Sequence, residues 1–116
     1  MAGQDRSTLL RAQTAIEELF ANSVTYGNYA QDPHASIWLS AWMDNTGLGL
    51  SFEDAFAPFN PFQGLDKVLL ETGKAIEQRA IGGLGRLMVF ELADEASYTY
   101  NEGHNCVRLF FSFNRD

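Results

Sequence analysis

The chain has 116 residues, 46% hydrophobic and 13% aromatic, which is enough for one folded domain spanning residues 1–116 and too few for two. Its net charge is −7 and its 8 basic residues are scattered, which argues against a nucleic-acid surface because such a surface needs clustered cations. Without an apolar run of roughly 18 residues or a secretion segment, and with the single cysteine Cys106, we expect a cytoplasmic protein without a disulfide or a membrane span.

The first predicted element is a helix over Leu9–Val24. Small and apolar residues recur there at helical spacing, so that they form one stripe along the helix. The residues of this stripe are Ala12, Ile16, Leu19 and Ser23.

Two β-rich segments come next. Ala35–Met43 and Gly47–Glu53 alternate in side-chain character, and the turn sequence Asn45-Thr46-Gly47 between them predicts an antiparallel hairpin. Trp38 and Trp42 share one face of the first strand. We expect them to belong to the core or to a covered sheet surface, with a partner interface as the alternative.

The second half of the chain begins with the aromatic loop Ala55–Gln63, followed by a short helix around Asp66–Glu71. A glycine-rich segment then opens a helix that runs to about Ala93. Strands are predicted over Ala96–Asn101 and Cys106–Phe113, joined by a turn. Hairpins separated by helices predict an α+β fold, a two-layer α/β sandwich in which helices cover one face of a mostly antiparallel sheet.

Two polar residues of the first helix are candidates for chemistry. Glu18 and Asn22 are four positions apart, so they share one helix face at the edge of the apolar stripe. The amide oxygen of Asn22 is a hard ligand suited to Mg²⁺, and the carboxylate of Glu18 is a candidate general base for a hydroxyl or a water. The alternative is an ordinary solvated helix edge.

Two further segments carry functional signals. Asp54 ends the second strand, where a carboxylate accepts hydrogen bonds from an exocyclic amine such as that of adenine. Gly82, Gly83 and Gly85 precede a helix, and backbone N–H groups in such a place bind phosphate. An ordinary loop-entry aspartate and a plain glycine loop are the corresponding alternatives.

The order of these motifs resembles that of the histidine-kinase-type (GHKL, Bergerat-fold) ATPases. Glu-x-x-x-Asn on a helix, a hairpin that ends in Asp and Gly-Gly-x-Gly at a helix entry occur in the same sequence order. The segments 17–27 and Pro58-Phe59-Asn60-Pro61 are most similar to the anti-sigma-factor serine kinases of bacterial partner switching. The resemblance covers about residues 12–113.

The resemblance implies a role for each matching residue. Asn22 would hold Mg²⁺ between the phosphates of ATP, and Glu18 would be the general base that acts on a protein serine. Asp54 would bind the adenine amine, and Arg79, with Lys74 second, would belong to the lid over the phosphates. The residues that would cradle the phosphates are Gly82, Gly83 and Gly85.

Two departures from the family pattern stand out. The family's adenine motif is Asp-x-Gly, whereas this chain reads Asp54-Ala55-Phe56, so the ring of Phe56 either blocks the base pocket or stacks over it. The family also usually has a strand and a helix before its Asn-bearing helix, so either an N-terminal part lies outside this sequence or the domain is a shortened member of the family.

The resemblance therefore implies an ATP- and Mg²⁺-dependent serine-protein kinase that acts on a small anti-sigma-antagonist protein, and family members of this type also bind a sigma factor. The alternative is a non-catalytic binding module of the same fold with a degenerate ATP site. Neither reading involves direct nucleic-acid or membrane contact, and both allow a homodimer.

Overall fold

A computed structural model of the chain describes residues 2–26, 35–63 and 88–113, with side chains for residues 6–25 in the first range. A five-residue helical segment at 88–92 precedes the third strand. The regular elements in chain order are helix α1 (Ala2–Tyr26) and strands β1 (Ile37–Met43), β2 (Gly47–Asp54), β3 (Glu95–Asn101) and β4 (His104–Ser112).

The four strands form one sheet with the order β1-β2-β4-β3, and each neighbouring pair is antiparallel. Helix α1 packs against the two central strands, β2 and β4. The predicted α+β architecture, with helices on one face of an antiparallel sheet, is confirmed. No helix of the described ranges is long and apolar enough to cross a membrane.

The core lies between α1 and the central strands. Phe111 and Leu109 of β4 are almost completely buried, and the helix presents alanines to them, so that its backbone approaches the sheet closely. The buried apolar residues of this layer are Ala12, Ala15, Leu19, Leu48, Leu50, Phe52, Val89, Ala93, Val107, Leu109 and Phe111. Residues of β2 and β4 alternate between this core and the opposite face of the sheet, as the period-2 pattern requires.

Helix α1 begins about two turns earlier than the sequence pattern predicted. Its first turns lack the apolar stripe, but Thr8 is buried and its hydroxyl donates to the carbonyl of Ser112 at 3.3 Å. Arg11 donates to the same carbonyl and to that of Leu92, each at 2.9 Å. These contacts with distant residues hold the second and third turns of the helix, and its own sequence does not reveal them.

The β1–β2 hairpin is closed by Asp44. One carboxylate oxygen accepts from the Thr46 hydroxyl at 2.6 Å and from the backbone N–H groups of Thr46 and Gly47 at 2.7 and 3.1 Å. The hydrogen bonds from Thr46 hold the pKa of Asp44 below its ordinary value. The predicted turn at Asn45-Thr46-Gly47 is thus confirmed.

The β3–β4 hairpin turns in two residues, Glu102 and Gly103, which both have positive φ angles of 53° and 81°. A two-residue turn of this kind matches the twist of the flanking strands, and glycine adopts it without steric cost. The sequence interpretation placed His104 and Asn105 in the turn. Both instead belong to β4, because the short turn lets Asn101 pair directly with His104.

Candidate functional site

The last turns of α1, the end of β2 and the start of the 55–63 loop converge on a small cavity. Its volume is about 40 Å³, room for only a few water molecules. The helix contributes one wall, the two central strands the floor, and the loop the other wall. The lining residues are Leu19, Asn22, Ser23, Phe52, Asp54, Phe56, Ala57, Phe59, Pro61, Asn105 and Val107.

Asp54 is buried at this cavity and makes three hydrogen bonds with the protein. Its Oδ2 accepts from the Ser23 hydroxyl at 2.7 Å, and its Oδ1 accepts from Asn105 Nδ2 at 2.8 Å and from the Phe56 N–H at 3.1 Å. Each carboxylate oxygen has two lone pairs, so Oδ2 retains one for a further donor. The predicted position of Asp54 at a strand end is confirmed, and the carboxylate is held rigidly there.

Asn105 organises the loop around Asp54. Besides Asp54, its Nδ2 donates to the carbonyls of Phe56 and Ala57 at 3.2 and 3.0 Å, and its Oδ1 accepts from the Phe59 N–H at 2.9 Å. The Tyr98 hydroxyl also donates to this oxygen. Burial raises the pKa of the Tyr98 phenol, and the charge of Asp54 adds to the effect, which keeps this donor protonated.

Sequence reasoning counted Ser23 with the small and apolar stripe of the helix and Tyr98 and Asn105 with the residues that resemble the family, but it gave none of the three a chemical role. One signal was present: counted by twos along β4, Asn105 falls on the same face as Val107 and Leu109, where an apolar residue is expected. A polar residue at a core-facing position must find hydrogen-bond partners, and here it finds them in the loop.

Asn22 lies across the cavity from this network. Its side chain is 9% exposed, and its Nδ2 has no hydrogen-bond partner among the described residues. A buried amide without a partner costs roughly 1–3 kcal/mol, so it needs an explanation. Rotation of the amide by half a turn presents the oxygen in place of the nitrogen, and the same position then offers a ligand for a cation.

Glu18 is half-buried one helical turn before Asn22, while Glu17 is exposed. Glu18 does not line the cavity but lies on the same side of α1 as Asn22, in keeping with their four-residue spacing. Between the two adjacent glutamates, burial favours Glu18 as the one directed along the site.

Phe56 occupies the position that the family pattern gives to glycine. It is 9% exposed, its N–H is bonded to Asp54, and it forms part of the cavity wall together with Phe59 and Pro61. A wall of large rings this close to Asp54 explains the small volume of the cavity.

The other predicted site residues, Arg79, Lys74, Gly82, Gly83 and Gly85, lie outside the described residues, and so does the helix expected around Asp66–Glu71. No cluster of three or more His, Cys, Asp or Glu side chains suited to a metal occurs in the part of the chain that the structure describes. A metal at Asn22 would therefore take most of its ligands from phosphate and water, as Mg²⁺ commonly does.

The model of the histidine kinase-like ATPase domain matches residues 2–111 of the chain. The chain therefore belongs to the histidine kinase-like ATPase family, a class of ATP-binding domains. No curated protein and no solved structure matches the chain.

The donor set of the cavity suits a magnesium nucleotide, with an unpartnered amide at Asn22 and a free lone pair on Asp54. The volume of the cavity in this structure is too small for a nucleotide, because ligand pockets usually enclose about 300–1,000 Å³. A bound purine needs more room than the 55–63 loop leaves beside α1 in this structure.

Proposed function

We propose that this domain binds ATP with Mg²⁺ and transfers its terminal phosphoryl group to a serine of a small protein partner, as an anti-sigma-factor-type serine kinase in bacterial partner switching. The observation that carries the proposal is the unpartnered amide of Asn22, buried at a cavity that also contains Asp54. An orphaned amide destabilises the free domain, and a ligand in the cavity removes that cost.

Three residues of the chain have separate roles in this proposal. Asn22 holds the metal through its amide oxygen, which is the kind of ligand that Mg²⁺ prefers. Asp54 accepts the exocyclic amine of adenine on the free lone pair of Oδ2, while Ser23 and Asn105 fix its orientation. Glu18 accepts the proton of the serine hydroxyl as that oxygen attacks the γ-phosphorus of ATP. The bond from this phosphorus to the bridging oxygen breaks, and ADP leaves.

Basic side chains over the phosphates and a glycine-rich phosphate-binding segment complete the proposed site. Arg79, with Lys74 second, would neutralise phosphate charge, and Gly82, Gly83 and Gly85 would offer backbone N–H groups at a helix entry. A chain with a net charge of −7 needs such local donors to hold a polyanion. The partners proposed are an anti-sigma antagonist as substrate and a sigma factor as a second ligand.

The second candidate function is a protein-binding regulatory module of the same fold with a degenerate ATP site. Two observations favour it: the carboxylate of Asp54 already accepts three hydrogen bonds, and Phe56 lines the cavity where the family has glycine. Under this reading the aromatic loop fills the base pocket permanently.

Phosphoryl transfer distinguishes the two functions. The domain is incubated with labelled ATP, Mg²⁺ and, one at a time, the anti-sigma antagonists encoded in the same genome. The kinase proposal predicts label on a serine of at least one of them, a rate about 10²–10⁴-fold lower for Glu18→Gln, and an unchanged rate for the control Glu17→Gln. If neither nucleotide binding nor transfer of label is observed, the regulatory module is the better account.

A further inference from the structure

The loop 55–63 is a strap that is fixed at both of its ends and forms one wall of the cavity. At its start it continues directly from β2 through the exposed Ala55. At its far end the ring of Phe62 packs beside that of Phe90, with a centroid separation of 5.8 Å, and against the core. Between these ends, Phe56 and Phe59 line the cavity.

The sequence of the strap makes it stiff. Pro58 and Pro61 have fixed φ angles, because their rings restrict the backbone. The side chain of Asn60 accepts from the Phe62 N–H at 2.9 Å, and its carbonyl accepts from the Gln63 N–H at 3.2 Å, so this part forms a turn of its own. A segment with these restraints has few conformations, and its middle is expected to move as one unit.

One side chain of the sheet holds the middle of the strap. Nδ2 of Asn105 donates to the carbonyls of Phe56 and Ala57 at 3.2 and 3.0 Å, and its Oδ1 accepts from the Phe59 N–H at 2.9 Å. The Tyr98 hydroxyl donates to the same oxygen, which fixes the orientation of the amide. Three consecutive contacts thus join the strap to β4 at a single residue.

These contacts use the full capacity of the Asn105 amide. A primary amide offers two N–H donors and two lone pairs, and Asn105 already donates to Asp54 and to two carbonyls and accepts from two donors. Asp54 is tied to the strap as well, because its Oδ1 accepts from the Phe56 N–H at 3.1 Å. A base that approaches Asp54 therefore meets polar groups that the strap already occupies.

The strap faces a void on the side of α1. The cavity of about 40 Å³ lies between the rings of Phe56 and Phe59 and the Leu19 side chain of the helix. Rings that border a void lack contact partners on that side and forfeit dispersion energy there. A flat aromatic ligand between the strap and α1 supplies these contacts, but only if the middle of the strap first leaves Asn105.

We propose, on the basis of the nucleotide site proposed above, that the Asn105 side chain is an autoinhibitory latch, which holds the strap closed over the base pocket. Nucleotide binding and the closed latch are then mutually exclusive. The measured affinity for ATP is lower than the intrinsic affinity by the fraction of molecules in which the strap is open. Any change that weakens the latch therefore strengthens nucleotide binding.

Amide hydrogen exchange measures the latch in the absence of nucleotide. Asn105→Thr keeps a hydroxyl donor beside Asp54 but lacks the length and the second donor that hold the strap. It is expected to speed exchange of the Phe59 N–H about tenfold, the effect of losing one or two ordinary hydrogen bonds, while the amides of the β2–β4 ladder exchange as before. Asn101→Thr, the same change at an exposed position of β3, is the control and should leave Phe59 unchanged.

Calorimetry with ATP and Mg²⁺ measures the coupling of the latch to the site. Asn105→Thr is expected to bind ATP about tenfold more tightly than the unmodified chain, in proportion to its larger open fraction, and Asn101→Thr should match the unmodified chain. In the unmodified chain, saturating ATP should speed exchange of the Phe59 N–H, because binding detaches it from Asn105. A merely structural role of Asn105 predicts no such acceleration, and this readout needs no variant.

The two tryptophans check that the variant is folded. Trp38 and Trp42 lie on the face of the sheet opposite α1 and are 46% and 47% exposed, so the expectation that they are core or covered is wrong among the described residues. The strap lies on the α1 side of the sheet. Tryptophan fluorescence in urea therefore reports global unfolding separately from the strap.

Three results would overturn the latch while leaving the nucleotide site intact. They are unchanged Phe59 exchange in folded Asn105→Thr, faster exchange there with unchanged or weaker ATP binding, and slower Phe59 exchange when ATP binds the unmodified chain. A different result, no binding of ATP by any of these forms at millimolar nucleotide, would contradict the proposed function and the latch with it.

Discussion

Asn105 and Asp54 are directly paired across β4 and β2, and Nδ2 of Asn105 donates to Oδ1 of Asp54 at 2.8 Å. The bond joins the carboxylate of the site to a residue that also holds three loop residues by their backbone groups. The geometry of the cavity therefore depends on one amide side chain that does not itself belong to the proposed chemistry.

The first prediction concerns this amide. Asn105→Ala is expected to lower the free energy of unfolding by roughly 3 kcal/mol, because it removes one donor to the buried carboxylate of Asp54 and the hydrogen bonds that join β4 to the 55–63 loop. Urea denaturation measures the change. Asn101→Ala, at an exposed position of β3, is the control and should change stability by less than about 0.5 kcal/mol. Equal effects of the two substitutions would show that the network contributes little.

The second prediction concerns the orphaned amide. Asn22→Leu is expected to raise the free energy of unfolding by about 1 kcal/mol, because it replaces a buried unpaired amide by an apolar side chain of similar size. The same substitution should abolish magnesium-dependent ATP binding. Thr25→Leu, exposed near the end of α1, should change neither property. A destabilised Asn22→Leu would mean that the amide has a stabilising partner in the free domain.

The third prediction concerns the aromatic wall. Phe56→Gly restores the glycine of the family pattern and enlarges the cavity beside Asp54, so ATP should bind several-fold more tightly. The lost packing should cost about 3–5 kcal/mol of stability, the usual range for removing a buried ring. Calorimetry and thermal unfolding measure the two effects. Phe20→Ala, at a half-exposed site on α1, is the control. Weaker ATP binding by Phe56→Gly would show that the Phe56 ring stacks on the adenine base.

The fourth prediction concerns alkaline pH. Burial raises the pKa of Tyr98 in the folded state above its ordinary value of 10.0. The folded state therefore holds this proton more tightly than the unfolded chain, and the resulting stability is full below pH 10 and is lost as pH rises through the folded pKa. Tyr98→Phe should remove this alkaline loss in urea titrations, and the exposed Tyr100→Phe should retain it. Parallel pH profiles for the chain and Tyr98→Phe would contradict the assignment.

The sequence predicted the elements of the fold where its pattern was local. Alternation along β2 and β4 and the turn residues after Met43 were sufficient for both hairpins. The start of α1 was not predictable in this way, since Thr8 and Arg11 find their partners about a hundred positions away at Ser112. The exposure of Trp38 depends likewise on the order of strands, because a strand pattern does not reveal which strand forms the edge.

The candidate site was likewise predictable from the sequence only where the signal was local. The spacing of Glu18 and Asn22 and the strand-end position of Asp54 follow from periodicity, and the structure brings Asn22 and Asp54 to one cavity. The bonds from Ser23 and Asn105 to Asp54 depend on the register between β2 and β4 and on the packing of α1, which no local pattern specifies. The small size of the cavity follows from how the 55–63 loop is anchored.

The central claim is that the cavity between α1 and β2 is a magnesium-nucleotide site, and calorimetry tests it most directly. ATP and ADP are titrated into the chain and into Asn22→Ala, with Mg²⁺ and with a chelator. We expect binding with a dissociation constant on the order of micromolar, about −8 kcal/mol, that requires Mg²⁺ and is lost in Asn22→Ala. No heat of binding at millimolar nucleotide, or equal binding by Asn22→Ala, would contradict it.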